Sequence, residues 1–322
     1  MKASRIAATA LATAAVGLAA ACGSSAPTSS AIVPSLPSQT PVPPPSSPPG
    51  PVIGYTGPGV PQSWASVSAF SKAIGRPVSV AMYYSGWGES FRTSFAQTAR
   101  GHGAEVMVNV APGGSLAAIA SGTGDGYLRR LAGQIRAFGH PVILAFGHEA
   151  NGDWYSYGYK HQPAAEYIAA YRRVHDVMTA AGASNITWLW TVNVADGTAT
   201  SAPAAVWPGA GEVSEIGIDG YDWTGTKTFA EEFGPTITAV RRLSGAPVLI
   251  AETSVVHGPN AAAQVTGLLN GIRADSLAGV VWFDTNKSTF KNTNDTHDWE
   301  LQDAPAALAA FRAGIKGFGS AG

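Results

Sequence analysis

The sequence predicts a single (β/α)8 TIM barrel in the α/β class, on three observations. From about Val52 onward, eight short apolar or β-branched runs alternate with longer amphipathic, Ala-rich stretches. The length left for that part of the chain suits one barrel of about 250 residues. Polar and aromatic residues crowd just after the strand candidates, where a parallel barrel carries its βα loops. An open, doubly wound sheet gives the same alternation; eight units at this length favour closure.

The strand candidates are Val52–Tyr55, Val78–Tyr83, Glu105–Val110, Pro141–Phe146, Ile186–Thr191, Glu215–Ile218, Pro247–Ala251 and Gly279–Phe283. The helix candidates are Trp64–Ile74, Ser90–Gly101, Tyr127–Phe138, Ala164–Ala181, Phe229–Leu243, Ala261–Ala274 and Ala304–Ala313. The stretch after Ile186–Thr191 is rich in Gly, Ala and Pro and shows no clear helix. The Gly122–Gly126 run lacks the strand-and-helix setting of a nucleotide loop and is taken as a helix entry capped by Asp125.

The first 51 residues divide differently. Lys2 and Arg5 precede an uncharged, apolar stretch from Ile6 to Ala21, the pattern of a secretory signal spanning residues 1–21 and too short for a transmembrane span. Cys22, the only cysteine, follows Leu18-Ala19-Ala20-Ala21 and resembles the lipidated cysteine of a bacterial lipobox, with Ala19 where Leu is usual. The alternative is plain cleavage that leaves a free thiol. Residues 22–51 are nearly all Pro, Ser, Thr, Ala and Gly and are expected to form a disordered tether. With one cysteine the chain has no intrachain disulfide. The expected location is the outer face of the cell membrane, anchored only through the N-terminal lipid, or free secretion.

Net charge is −1 and no basic stripe is present, which argues against nucleic acid as a partner. Few charged residues and many Gly, Trp and Tyr suit neutral, hydroxyl-rich ligands. The chemistry sits at two strand ends. Val142–Phe146 reads as a buried strand, so Glu149 in Gly147-His148-Glu149-Ala150-Asn151-Gly152-Asp153-Trp154-Tyr155 emerges at the rim beside aromatic rings. A carboxyl shielded by rings has its charged form disfavoured, which suits a general acid. The alternative is a glutamate paired with a loop arginine. Glu252 likewise follows Val248-Leu249-Ile250-Ala251. Two glutamates from strands on opposite sides of one mouth are the minimum equipment for glycoside hydrolysis; carboxyls about 5–5.5 Å apart retain anomeric configuration.

These residues resemble glycoside hydrolase family 26, the family of many β-mannanases. Phe146 to Tyr155 is similar to its F-G-H-E-M-N-G-x-W-Y, Trp188-Leu189-Trp190-Thr191-Val192-Asn193 to W-V-W-S-P-N, and Gly217 to Trp223 to G-I-D-G-Y-N-W. Pro247 to Thr253 resembles the nucleophile strand, and Trp282-Phe283-Asp284-Thr285-Asn286-Lys287 with Asp298-Trp299 the W-F-x-x-N-K and D-W elements. The resemblance spans roughly Val52 to Phe311 in strand order. It implies Glu149 as acid/base, Glu252 as nucleophile, Tyr221 as the phenol that holds the nucleophile, and His148 as a sugar contact. Trp154 and Trp282 would be aromatic platforms, Asn193 and Asp219 supporting polar groups, and Tyr84 and Trp87 the cleft wall. It implies no metal or cofactor, a polysaccharide or oligosaccharide as substrate, and action as a monomer.

Departures from the family pattern bear on the sugar. Ala150, Ser156-Tyr157, Val192 and Ser254 replace usual residues, Val108 to Pro112 lacks a W-E-P pattern, and Ser288–Thr296 reads as an extra loop. β-1,4-Mannan is the expected substrate, with β-1,3/1,4-glucan or β-1,3-xylan as alternatives. His148-Glu149 does not continue into a zinc protease helix, because Gly152 stands where a second His is needed. No G-x-S-x-G elbow is present. Asp295, His297 and Asp298 read as a solvated loop before an ion site. A lipoprotein that binds carbohydrate in the same cleft without turnover is the rival class; the combination of Glu149, Glu252 and Tyr221 favours the enzyme.

Overall fold

The computed structural model describes residues 50–195, 197–286 and 297–319. The signal segment, Cys22, nearly all of the tether, Asp295 and the Ser288–Thr296 loop lie outside the described residues.

Eight parallel strands close into a barrel in sequence order. They are β1 (Val52–Thr56), β2 (Val80–Ser85), β3 (Glu105–Val110), β4 (Val142–Phe146), β5 (Ile186–Asn193), β6 (Glu215–Asp219), β7 (Val248–Thr253) and β8 (Gly279–Phe283). β8 pairs with β1 from Val52↔Gly279 to Thr56↔Phe283, which completes the ring. The apolar runs are continuous because each strand is covered on both faces. Val80, Met82, Met107, Ile143, Ala145, Leu189, Leu249, Ala251 and Val281 fill the bore. Alternate residues such as Val106, Leu144, Trp190, Ile250 and Trp282 face the helix layer. The bore is narrow: a Cβ on Gly217 would come within 2.8 Å of the Ala251 Cβ, and one on Gly54 within 2.7 Å of Val281 Cγ2.

The outer helices are α1 (Ala65–Ile74), α2 (Thr93–Gly101), α3 (Leu116–Ala120), α4 (Asp125–Phe138), α5 (Ala164–Ala180), α6 (Phe229–Glu232), α7 (Gly234–Arg241), α8 (Ala261–Ala274) and α9 (Pro305–Gly314). Two features differ from the expectation. The helix expected over Phe229–Leu243 is split in two, because Pro235 in the first turn of α7 lacks an N–H to continue from α6. The stretch after β5, where no clear helix was expected, makes a 3₁₀ turn at Pro203–Val206 among the described residues, and the Val206 carbonyl accepts from Trp190 Nε1 at 3.0 Å. Asp125 is not a cap. It lies inside α4, where its carboxylate accepts from Arg173 Nε at 3.0 Å and Arg129 Nη2 at 3.0 Å. The Arg173 guanidinium holds Asp125 below the ordinary carboxylate range.

At the amino-terminal ends of the strands, opposite the site, Glu105 begins β3 and Glu215 begins β6. Burial, reinforced by the Glu105 charge, pushes Glu215 from 4.5 up to about 7. The folded state therefore holds a proton that the unfolded chain has lost, and stability falls as pH rises from about 4.5 to about 7. Glu215→Gln removes that loss. The variant is expected to melt a few degrees above the parent at pH 8 (a gain of at most about 3 kcal/mol) and level with it at pH 4. Equal melting temperatures at both pH values would refute a protonated Glu215.

Candidate active site

Strand ends deliver the site, and two local irregularities aim it. Directly after β4, Gly147 at φ 59° and Glu149 at φ 55° both take the left-handed conformation. Glycine suits the first position, where a Cβ would lie 2.9 Å from the Tyr167 ring. At Glu149 the conformation costs on the order of 1–3 kcal/mol and persists only where neighbours fix it. They do: the Glu149 amide donates to the Thr191 carbonyl at 3.0 Å, and the Gly152 amide donates to the Glu149 carbonyl at 2.8 Å. Asn151, fully buried, pins the same loop to β5. Its Oδ1 accepts from the Asn193 amide and its Nδ2 donates to the Asn193 carbonyl, both at 2.8 Å.

The resulting turn presents Glu149 to the mouth. Oε1 accepts from Asn193 Nδ2, and Oε2 accepts from Trp154 Nε1 at 2.8 Å. The Trp154 ring lies over Gly152, where a Cβ would come 2.3 Å from Cζ2.

On β7 the device is a bulge. Ile218 pairs with Ile250 but Asp219 pairs with Glu252, so Ala251 is an extra residue. Strict alternation from Leu249 and Ala251 in the bore would send Glu252 into the helix layer. The extra residue resets the phase and turns Glu252 into the mouth. There Oε1 accepts from Tyr221 Oη at 2.6 Å and Oε2 accepts from Tyr84 Oη. Burial, then the Glu252 charge, raises Tyr221 well above the ordinary phenol range, so it stays a donor. Both Glu149 and Glu252 act electrostatically on Tyr155 and on Asp219, which places the two acids around one opening.

His148, Trp282, Asp219 and Trp87 differ from their sequence-based roles. His148 is buried, and its Nε2 meets Tyr155 Oη at 2.9 Å while Tyr157 Oη donates to its carbonyl at 2.9 Å. Burial pulls it down to about 4, so it is neutral at pH 7 and braces the loop instead of offering a free edge to a sugar. Trp282 is not a platform. It points outward from β8, is fully buried and packs on Phe311 of α9 at 5.2 Å. Alternation decides this, since Val281 already occupies the bore. Asp219 is 1% exposed and lies beneath the mouth, out of a ligand's reach. Trp87 is half-buried between Tyr127 and Phe146 at 4.8 and 5.9 Å, over Gly113 and Gly124, and walls the βα loops from behind.

The large hydrophobic side chains most exposed among the described residues are Tyr84, Trp154 and Trp223, and all three ring this mouth. Trp223 was missed as a site residue. It packs on Tyr221 at 5.6 Å and on the buried Trp299 at 5.3 Å. Asp222 holds its loop by accepting from the Lys227 amide at 2.6 Å and Gln264 Nε2 at 2.8 Å. The signal for Trp223 was an aromatic two residues past Tyr221; the signal for Tyr155 and Tyr157 was their spacing from His148.

A model of glycosyl hydrolase family 26 matches residues 105–295. Endoglucanase H of Acetivibrio thermocellus is 30% identical over 274 residues, covering 80% of this chain and 29% of that protein. The chain thus spans under a third of that relative's length. A modular endo-β-1,4-mannanase from Cellulomonas fimi superposes with a TM-score of 0.63 at 18% identity, over 83% of this chain and 73% of that one. A β-mannanase from Bacteroides ovatus gives 0.62 at 13% identity, over 83% and 89%. At such identities the structures share the fold.

Trp154→Ala, at a 44% exposed ring, is expected to cost under about 1 kcal/mol of stability. Trp282→Ala and Trp87→Ala are expected to cost about 3–5 kcal/mol in urea unfolding, as packed aromatics do. A marginal loss at Trp282 would restore it as a candidate platform.

Proposed function

The chain belongs to glycosyl hydrolase family 26, and from that premise we propose that it is a retaining hydrolase of internal linkages in a β-linked polysaccharide, with Glu252 as nucleophile and Glu149 as acid/base. The observation that carries this reading is the unequal setting of the two acids. Both Glu252 oxygens accept from phenols, which fixes a carboxylate for attack at the anomeric carbon. Glu149 is held by Asn193 and Trp154 on an aromatic rim, where it can meet the leaving oxygen. In the first step Glu252 forms the glycosyl ester while Glu149 gives its proton to the glycosidic oxygen. In the second, Glu149 takes a proton from water, and that water displaces Glu252. Exposed Trp154 beside Glu149, and exposed Trp223 beside the phenol that holds Glu252, support sugar contacts next to each acid.

For the sugar, β-1,3/1,4-glucan is the first reading. The 30% identical relative carries an endoglucanase name, whereas the mannanase structures are 13 and 18% identical. The family motifs and those mannanase neighbours favour β-1,4-mannan as the second. The purified protein is to be incubated with lichenan, mannan, glucomannan and β-1,3-xylan and assayed for new reducing ends. Lichenan is expected to be cut fastest. Fastest release from mannan reverses the order of the two readings, and binding without products on every polymer sinks the enzyme.

Glu252→Ala is expected to abolish turnover, and azide to restore it with a glycosyl azide of inverted configuration. The same product from Glu149→Ala would mean the roles are exchanged. Tyr221→Phe deletes a hydrogen bond to a charged group, and kcat/KM is expected to fall roughly ten- to a hundred-fold. Membrane attachment through lipidated Cys22 belongs to the same proposal. Cys22→Ala is expected to move the protein from the membrane fraction to the medium, and unchanged fractionation would exclude the anchor.

A further inference from the structure

The bore directly below the two glutamates is polar where most of it is apolar. Asn109 of β3, Thr191 of β5 and Asp219 of β6 are 1%, 2% and 1% exposed. Asn109 shares the phase of Met107 and Thr191 that of Leu189, both bore residues, and Asn109 Nδ2 reaches Met82 Sδ at 3.4 Å. A Cβ on Gly217 would sit 2.9 Å from Thr191 Oγ1, which confirms that Thr191 faces inward. Asp219 is two residues beyond Gly217 on the same face of β6, in register with Asn193 and Glu252.

Four polar atoms of this group have no hydrogen-bond partner among the described residues: Asn109 Oδ1, Thr191 Oγ1 and both Asp219 oxygens. Both Asp219 oxygens are buried with no donor within hydrogen-bond distance among the described residues, the Thr191 hydroxyl included. A carboxylate so placed costs several kcal/mol, whereas a carboxylic acid carries no charge to satisfy.

The geometry points to Asp219 as a neutral carboxylic acid that spares the mouth a third negative charge. The groups facing it are acids and phenols: Glu252 from β7, Glu149 from the β4 loop, and Tyr84, Tyr155, Tyr157 and Tyr221 around the rim. Burial first, then the charges of Glu252 and Glu149, push its ionisation well above the ordinary carboxylate range. In its consequence for turnover the inference rests on the retaining reading. Glu252 must be ionised to attack, and a charged Asp219 paired beside it would oppose that.

The test uses the full chain at neutral pH. The infrared difference spectrum between parent and Asp219→Asn is expected to contain the carbonyl stretch of a protonated carboxylic acid, lost in the variant. In the pH profile of kcat/KM, Asp219→Asn is expected to leave the acidic limb in place, because no charge has been removed. A difference spectrum showing a lost carboxylate band instead overturns the proposal. So does an acidic limb that moves to lower pH in Asp219→Asn, since relief of repulsion would make Glu252 easier to ionise. If Asp219→Asn does not fold, Asp219→Leu serves for the difference spectrum: the same acid band is expected to be lost, and a lost carboxylate band overturns the proposal. The spectra need no turnover, so their failure leaves the proposed hydrolase standing, and an inactive protein leaves the protonation testable.

Discussion

Two carboxylates on strands of one closed barrel face each other only where the strands abandon their own periodicity. Regular β alternation dictates which residues enter the bore, and for β7 it assigns that place to Ala251, not Glu252. The bulge between Ile218 and Asp219 gives Glu252 the inward direction, and the left-handed turn at Gly147 and Glu149 does the equivalent on β4. Neither device is stable alone. The turn is held by bonds to Thr191 and Asn193 on β5, and β7 is tied by Thr253 Oγ1 donating to the Gly220 carbonyl at 2.7 Å. The neighbouring strands therefore carry the strain of the site, and the rigidity of a parallel barrel is what makes a strained glutamate tolerable.

Once inward, the acids meet uncharged hydrogen-bond donors among the described residues. Tyr221 and Tyr84 serve Glu252; Asn193 and Trp154 serve Glu149. All four are neutral donors. They orient an oxygen without neutralising it, so each carboxyl keeps the freedom to change protonation state that acid–base work requires. An arginine in any of these places would lock its partner ionised. The buried Asp125 shows that case, held down by Arg173 of the outer helices.

Much of this was legible in the chain. Continuous apolar runs marked the strands, and Glu149 and Glu252 stood out because each followed such a run. What the sequence hid were matters of phase and partnership. Trp282 and Trp154 look alike as exposed indoles near a strand end, yet one lies inside β8 and obeys alternation, while the other lies eight residues past β4 and does not. His148 adjoins Glu149, but its ring turns to Tyr155 and Tyr157 because the reversal at Glu149 sends adjacent side chains opposite ways. The bulge has no composition signal at all: Ala251 is an ordinary strand residue, and only pairing across β6 reveals it as extra.

The same loops that aim the acids also build the walls, and this couples specificity to chemistry. The β4 loop supplies Glu149 and its donor Trp154; the β6 loop supplies Tyr221, which holds Glu252, and Trp223 beside it. Trp154 bonds Glu149 directly, and Trp223 reaches Glu252 through the ring contact with Tyr221. Replacing wall residues thus perturbs the position of a carboxylate as well as the fit of a sugar, and a change of substrate has to conserve the donors while altering their surroundings. The family departures follow that rule. Tyr157 donates to the His148 carbonyl and Ser254 Oγ donates to the Trp299 carbonyl at 3.1 Å, so these two act on the supports of the aromatic walls, while Trp154, Asn193, Tyr84 and Tyr221 contact the glutamates.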